Sequence, residues 1–319
     1  DQTGMKQPSG GNAAFKTTVG GQALMEGVMM RGPHKIAYAV RSPEGKIVTE
    51  VKPVKKYAWQ KIPFVRGVGG FIESMVTGYR YLMKSADIAM TEEEKAEEKP
   101  SRFELWMEKH LGEKGFQVLM TVSSVLGAAL AIVLFMVVPT FLVGLLSKAV
   151  ELGSWKTLLE GILKIALLVG YMAAISFVPD IARMFRYHGA EHKTIACYEH
   201  DLELTVENVR RCSRFHPRCG TSFILIILVV SVLLFSVIPW SSLSLRIVYK
   251  ILLLPVVMGV SYEILKICGR YDNIVTRAIS APGLWLQRIT TKEPDDGMIE
   301  CAIAAVKPVL PEDRREGEW

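Results

Sequence analysis

The stretch from Arg183 to Ser222 holds the residue types that could bind a metal ion. His188 and His192 stand four residues apart with Glu191 between them, in the pattern His-x-x-Glu-His. On a helix, residues i and i+4 lie on one face, so both imidazoles can reach one ion such as zinc. Glu191 would then act as general base toward a water molecule that the ion activates. This spacing is typical of a metal-dependent hydrolase.

Further ligands are expected where the apolar segments of the chain end. His216 and Cys219 come just before one apolar segment, and Glu263 lies near the end of another. A carboxylate at that depth is costly unless it is paired or functional. Glu199 continues the stripe that begins with the two histidines. The candidate ligands for zinc or another divalent metal are therefore His188, His192, His216, Cys219 and Glu263.

A polar cluster without a metal is the alternative interpretation. Arg183, Arg186 and Lys193 flank Glu191. Histidines in such a cluster would hydrogen-bond to carboxylates and cap helix ends. The five cysteines contain no Cys-x-x-Cys pair, which argues against a closed structural zinc site, and we interpret them as reduced thiols or ligands.

The composition predicts a mainly α-helical integral membrane protein. Half of the residues are apolar, at 50%, and the mean hydropathy is positive, at +0.25. Runs with little or no charge are long enough to cross a bilayer. They predict about four transmembrane helices in a bundle over residues 116–267. The expected spans are Phe116–Val138, Leu158–Val178, Phe223–Ile238 and Ile247–Ile267.

The distribution of basic residues predicts the orientation of this bundle. The loop at residues 180–222 carries seven Lys or Arg residues, whereas the connection Pro239–Ser244 carries none. Cytoplasmic loops are enriched in Lys and Arg, so the His- and Cys-rich loop is expected in the cytoplasm. An even number of spans then places both the N and the C terminus in the cytoplasm as well.

A small cytoplasmic β-hairpin and α-helical domain is predicted before the bundle. Residues 16–60 form a Gly-rich region in which the β-prone stretches Ile36–Arg41 and Lys46–Lys52 flank a Ser-Pro-Glu-Gly turn. Residues 61–90 predict an amphipathic helix on the membrane surface or packed under the bundle, because charges interrupt its apolar positions.

The other segments are expected to be linkers or soluble parts. Residues 1–15 are predicted to be disordered, with Asp1–Gly4 a remnant before a natural start at Met5, and residues 91–101 form an acidic linker. Residues 268–306 form a cytoplasmic C-terminal segment, with a turn at Pro282-Gly283 and a helix near Met298–Val306. The charged, Pro-containing tail at residues 307–319 is predicted to be disordered.

Several motifs resemble a known family. Over roughly Val19–Val306, the chain resembles the bacterial membrane-protein family called domain of unknown function 1385. The motifs that carry the resemblance are GGQALMEGVMMRGP (Gly20–Pro33), YHGAEHKTI (Tyr187–Ile195), LTVENV (Leu204–Val209), HPRCGTSF (His216–Phe223), PGLWLQ (Pro282–Gln287) and TTKEPD (Thr290–Asp295).

The resemblance implies a multi-pass protein of the bacterial cytoplasmic, or inner, membrane. Members of the family are often labelled as predicted metal-dependent enzymes. Similarity within the family around the EGVMMRG stretch also makes Glu26 and Arg31 candidate contributors to a site.

Two classes of function remain open from the sequence. The first is a metal-dependent hydrolase at the cytoplasmic membrane face, acting on a membrane peptide or a lipid-linked compound. The second is a non-enzymatic scaffold or biogenesis factor that binds a ribosome, a translocation complex or another membrane protein. The lipid bilayer is a partner in both. The net charge of +6 is modest, and we expect no direct DNA binding.

Overall fold

A computed structural model describes residues 15–91, 122–123 and 125–318. The predicted start at residues 1–15 and the acidic linker at 91–101 therefore lie almost wholly outside the described residues, as does the beginning of the first predicted span. The chain forms two compact units. The first comprises residues 1–89, 169–230 and 254–319, and the second comprises residues 90–168 and 231–253.

A four-stranded antiparallel sheet lies near the N terminus, in the first unit. Its strands pair in chain order, and they are β1 (Gly20–Leu24), β2 (Gly27–Arg31), β3 (Lys35–Arg41) and β4 (Ile47–Pro53). The register that pairs Lys35 with Pro53 and Arg41 with Ile47 confirms the predicted hairpin. The Gly- and Met-rich stretch before it forms a second hairpin from β1 and β2.

Each face of the sheet is covered by helices, because successive side chains of a strand point to opposite faces. One face carries Val28, Met30, Ala37 and Ala39, which share a core with the helices that contain Tyr187 and Ile299. The other face carries a core of Leu24, Met29, Ile36, Tyr38 and Val40 that includes Tyr81. The sheet thus fixes three helices of the first unit around itself.

Nine helices longer than one turn occur in the described residues. They are α1 (Val65–Ala89), α2 (Val125–Ala149), α3 (Lys156–Ile175), α4 (Pro179–Glu199), α5 (Val206–Arg211), α6 (Gly220–Phe235), α7 (Leu243–Arg270), α8 (Ile274–Thr290) and α9 (Asp296–Val306). The protein is mainly helical, as the sequence predicted.

Three of these helices are long and apolar enough to cross a membrane. They are Val125–Ala149, Leu243–Arg270 and, counted with the turn before α3, Gly153–Ile175. Helix α6 is also apolar but has only 16 residues. An α-helix rises about 1.5 Å per residue, so α6 is about 24 Å long, less than the roughly 30 Å of a hydrocarbon core. Three candidate spans are therefore found where the sequence predicted about four.

Helix α1 occupies the predicted amphipathic segment. Its buried side carries three small residues, Gly67, Gly78 and Ser85, together with Tyr81. An added Cβ on Gly67 would lie 2.7 Å from Tyr262 Cβ of α7. Its exposed side includes Ile72, Met75 and Val76, each more than half exposed. Gly67 therefore allows a close contact between α1 and α7. A position of α1 on the membrane surface remains a prediction.

Two expectations for the C-terminal region are wrong. Pro282 and Gly283 do not form a turn but lie inside α8. An added Cβ on Gly283 would stand 2.4 Å from the Ser222 hydroxyl, so this glycine allows a close helix contact. The tail predicted to be disordered is folded up to residue 318, because Val309 is buried at 2% exposure and Glu318 pairs with Thr17.

Candidate metal centre

Helix α4 presents the His-x-x-Glu-His motif. It begins at Pro179, whose fixed φ and missing N–H suit a first helical position. The negative charge of Asp180 in the first turn interacts favourably with the positive end of the helix dipole. The helix continues without interruption through His188 and His192. Their ring centroids are 4.4 Å apart, so the predicted one-face arrangement is present.

Cys219 joins the two histidines in one cluster. The residue immediately precedes α6, and its Sγ lies 3.2 Å from His188 Nε2. One ligand atom from each of His188, His192 and Cys219 lies within 4.8 Å of the other two. His192 and Cys219 are buried, and His188 is partly exposed. Of the residues predicted as ligands, the structure brings these three together.

Backbone carbonyl groups orient both imidazole rings. His188 Nδ1 lies 2.8 Å from the Thr290 carbonyl oxygen, and His192 Nδ1 lies 2.7 Å from the Arg214 carbonyl oxygen. A carbonyl only accepts hydrogen bonds, so each Nδ1 must be the protonated nitrogen. In the neutral rings, Nε2 then carries the lone pair. Histidine ligands in metal sites are commonly fixed in this way.

Glu191 lies beside the cluster with half of its carboxylate unsatisfied. Its side chain is buried at 5% exposure, and Oε2 has no hydrogen-bond partner. The backbone N–H of Gly21 in β1 donates to the carboxylate. An added Cβ on Gly21 would lie 3.1 Å from Glu191 Cδ, so the glycine is needed for this approach. Strand β1 thus contributes to the site through Gly21.

The charges of the cluster are strongly coupled. Burial disfavours the charged ring of His188, yet the negative Cys219 thiolate raises the pKa of His188 to about 9. Burial also disfavours the thiolate, but His192 and His188 hold the pKa of Cys219 well below its usual value. Burial raises the pKa of Glu191, against the opposing effect of the two histidines. A carboxyl group with a raised pKa is suited to proton transfer near neutral pH.

His216 lies next to the cluster and takes part in a different network. Its ring centroid is 5.5 Å from that of His192, and its Nε2 lies 3.6 Å from Glu199 Oε2. Glu199 also accepts from Arg218 and, at 2.7 Å, from the backbone N–H of Thr17. Burial, the largest effect, lowers the pKa of His216. This network ties the end of α4 to the segment before α6.

The other three predicted site residues form ion pairs away from the cluster. Glu263 accepts from Arg66 Nε at 2.8 Å and from the Phe64 backbone N–H. Arg31 pairs with Glu73 of α1 at 2.8 Å. Glu26, in the β1–β2 turn, binds Arg183 and lies 3.1 Å from the Tyr187 hydroxyl.

The Glu26 contacts hold a strained backbone. Glu26 has a φ of 51°, in the left-handed region that costs a side-chain-bearing residue roughly 1–2 kcal/mol. The pairing of Leu24 with Gly27 makes Met25-Glu26 a two-residue turn. This turn is thus fixed against α4, the helix that carries the histidines.

Sequence reasoning also missed a buried charged cluster in the second unit. Glu160 binds Lys164 Nζ at 2.8 Å and Arg246 Nη2 at 3.3 Å, and it also contacts Lys250. All four side chains are at most 4% exposed. Two pairs of charged residues with i,i+4 spacing inside apolar helices could have indicated it, namely Glu160 with Lys164 and Arg246 with Lys250. Charged residues at such depth are rare unless they are paired.

The donor set of the His188–His192–Cys219 cluster fits zinc. Zinc prefers nitrogen and sulfur ligands, and tetrahedral ligands at about 2.0–2.3 Å from the ion are roughly 3.5 Å apart. The distance of 3.2 Å between His188 Nε2 and Cys219 Sγ is close to that value. The unpartnered Glu191 Oε2 adds a polar atom that nothing else in the described residues satisfies.

Comparisons with known proteins place the chain in a family. A family model described as "Protein of unknown function (DUF1385)" matches residues 62–312. The chain is 37% identical over 299 residues to "Uncharacterized protein YqhQ" of Bacillus subtilis (strain 168). The alignment covers 91% of this chain and 92% of that protein. No solved structure matches it significantly. The resemblance seen in the sequence motifs is therefore confirmed, and the chain belongs to the DUF1385 family.

Proposed function

We propose that the chain is a metal-dependent hydrolase that holds zinc or a similar divalent ion through His188, His192 and Cys219. The orientation of the two rings is the observation that carries this proposal. Both Nδ1 atoms donate to backbone carbonyl groups, and the Nε2 of His188 points at the Cys219 thiol. A cluster that served only to cap helices would not need a ring nitrogen directed at a cysteine sulfur, with a ligand atom of a second imidazole within 4.8 Å of both.

A catalytic role is favoured over a closed structural site. Structural zinc sites usually have four protein ligands, whereas catalytic sites have three and keep one position open. The cluster supplies three, with Glu191 beside them. When bound, the ion supplies a Lewis acid that polarises a carbonyl or phosphoryl oxygen. Glu191 Oε2, which has no partner, takes a proton from the attacking water and later returns it to the leaving group.

The proposed site faces the cytoplasm at the surface of the bacterial inner membrane. The support is the basic character of residues 180–222, which contain the cluster, and the candidate spans on either side of that segment in the sequence. A substrate reached from that surface would be a membrane peptide or a lipid-linked compound.

Metal analysis of the purified full chain tests the ligand set. We expect about one zinc ion per chain, and cobalt loading is expected to give a thiolate-to-cobalt charge-transfer band. His188→Ala, His192→Ala and Cys219→Ala should each lose both signals. His34→Ala is the matched control, because His34 is exposed and pairs with Glu316.

Glu191→Gln separates binding from chemistry. It keeps the shape of the side chain and removes the group that accepts the proton, so the variant should retain zinc and lose hydrolysis. A native chain that binds no metal, or a Glu191→Gln variant as active as the native chain, would overturn the proposal.

A further inference from the structure

Helix α8 has an inverted distribution of polar and apolar residues. Its exposed side carries Ile274 at 86% exposure, Val275 at 65% and Trp285 at 52%. Its buried side is made mainly of small or polar residues, which are Thr276, Ser280, Gly283, Gln287 and Thr290, with Leu286 as the exception. Helices that face water show the opposite arrangement, with apolar residues turned to the protein core.

The buried side of α8 is satisfied within the protein. Gln287 donates to the His216 carbonyl oxygen at 2.7 Å and accepts from the His216 N–H at 2.8 Å. Gly283 allows close contact with Ser222. The helix therefore cannot turn its apolar side inward without losing these contacts. The apolar side must face a medium other than water, since contiguous exposed apolar surface marks an interaction site.

The position of α8 in the chain identifies that medium. Helix α7, which ends at Arg270, is long and apolar enough to cross a membrane. Helix α8 begins only four residues later, at Ile274. Asn273 caps it by accepting from the Thr276 N–H at 3.0 Å, so the chain starts a new helix directly where the candidate span ends. A helix that starts there lies at the boundary between headgroups and acyl chains.

Three exposed residues of α8 are of the types that anchor helices at this boundary. Trp285 is an aromatic residue of the type enriched at membrane interfaces. Arg277 and Arg288 are both exposed. Arg277 is engaged with Asp272 at 2.6 Å, which leaves Arg288 to contact lipid phosphate. A basic residue near an anionic membrane surface is attracted to it electrostatically.

We propose that the exposed side of α8 lies in the headgroup–acyl boundary of a bilayer that contains anionic phospholipid. The occupant of this surface is lipid and not a second protein. The inference rests on polarity, burial and chain connectivity, and it does not depend on whether a metal binds to the cluster.

Nitroxide labels on the full chain measure the medium around this helix. Ile279, which is also on the exposed side at 39% exposure, and Trp285 are each replaced by Cys and labelled. The chains are held one to a nanodisc, and collisions with oxygen are compared with collisions with a water-soluble nickel chelate. The five native cysteines are buried, and the unsubstituted chain gives the background. Leu252→Cys in α7 is the lipid reference, and Val48→Cys in β4 is the water reference.

The expected oxygen-to-nickel ratio at positions 279 and 285 is several-fold higher than at position 48 and approaches that at position 252. A ratio equal to that at position 48 would overturn the proposal. It would mean that the surface is bare in a single chain and serves a protein partner or a second copy.

A separate comparison tests whether the helix requires anionic phospholipid. Replacing phosphatidylcholine by phosphatidylglycerol should raise the ratio at position 279, and Arg288→Gln should reduce that rise. A ratio that does not respond to phosphatidylglycerol would refute the requirement for anionic lipid.

Discussion

Gly189 and Lys292 approach so closely that an added Cβ on Gly189 would lie 2.0 Å from the Lys292 carbonyl oxygen. The Lys292 N–H also donates to the Phe185 carbonyl oxygen at 2.8 Å. The segment after α8 is thus held against α4, and this contact places the Thr290 carbonyl oxygen at His188 Nδ1. The glycine of the His-Gly-Ala-Glu-His motif therefore allows the contact that orients the His188 ring.

Gly189→Ala is predicted to weaken zinc binding by about 10–100-fold, the range found when groups that orient metal ligands are lost. The added methyl group displaces the Thr290–Lys292 segment, so His188 loses its orienting carbonyl. Competition with a chromogenic zinc chelator measures the effect. Gly170→Ala in α3 is the control, because a Cβ there meets open space. Equal zinc affinity for Gly189→Ala and Gly170→Ala would show that the Thr290 carbonyl group does not determine the orientation of the His188 ring.

Gln287→Leu is predicted to lower both stability and zinc affinity. The amide of Gln287 satisfies the N–H and the carbonyl oxygen of His216, three residues before Cys219. Unsatisfied buried polar groups cost about 1–3 kcal/mol each. Thermal unfolding in detergent and chelator competition measure the two effects. Arg288→Gln, on the exposed side of the same helix, should change neither.

Glu199→Gln is predicted to destabilise the chain at neutral pH by about 3–5 kcal/mol, because Arg218 remains buried without its carboxylate. Burial opposes the charge of Glu199, but His216 and Arg218 keep its pKa below the usual 4.5. The carboxylate therefore stabilises the fold above the unfolded pKa, and this contribution is lost as the pH falls through the folded pKa.

Melting temperatures measured between pH 7 and pH 3 test the direction of this pH dependence of stability. The difference between the native chain and Glu199→Gln should be largest near neutral pH and should shrink below about pH 4.5. Glu316→Gln is the matched control, since Glu316 is 55% exposed and exposed pairs contribute about 0–1 kcal/mol. A difference that stays constant with pH would contradict the assignment.

Glu160→Gln is predicted to destabilise the second unit by about 3–5 kcal/mol, because three buried cations lose their carboxylate. Thermal unfolding followed by tryptophan fluorescence reports on this region, since Arg246 stacks on Trp240 at 3.9 Å. The double variant Glu160→Gln/Lys250→Met should recover part of the loss. Glu151→Gln, at an exposed position, should leave the unfolding temperature unchanged.

Local patterns in the sequence were enough to predict the centre of the candidate site. Helix geometry alone places His188 and His192 on one face, and the residues around them form a helix. Cys219 was grouped with them because it comes just before an apolar segment, and the structure places its sulfur 3.2 Å from His188 Nε2. The turn between β3 and β4 was predicted for the same reason, since four consecutive residues determine it.

Long-range partners were beyond the reach of such patterns. Glu263 was grouped with the histidines by depth alone, whereas its partner Arg66 comes from a helix about 200 residues earlier in the chain. No pattern in the sequence predicts that the backbone carbonyl groups of Thr290 and Arg214 contact the two histidine rings. Pro282-Gly283 has the composition of a turn, but the approach of Ser222 requires a glycine inside a helix.

The order in which the chain is synthesised has a consequence for how the cluster assembles. Thr290, whose carbonyl orients His188, follows it by 102 residues. At ribosomal rates of about 5–20 residues per second, His188 is made on the order of 5–20 s before Thr290. During that interval the nascent chain lacks the orienting carbonyl, and Cys219 and the apolar helices after it must also be made. Loading of an ion is therefore expected to be a late step in biogenesis, after α8 has been made.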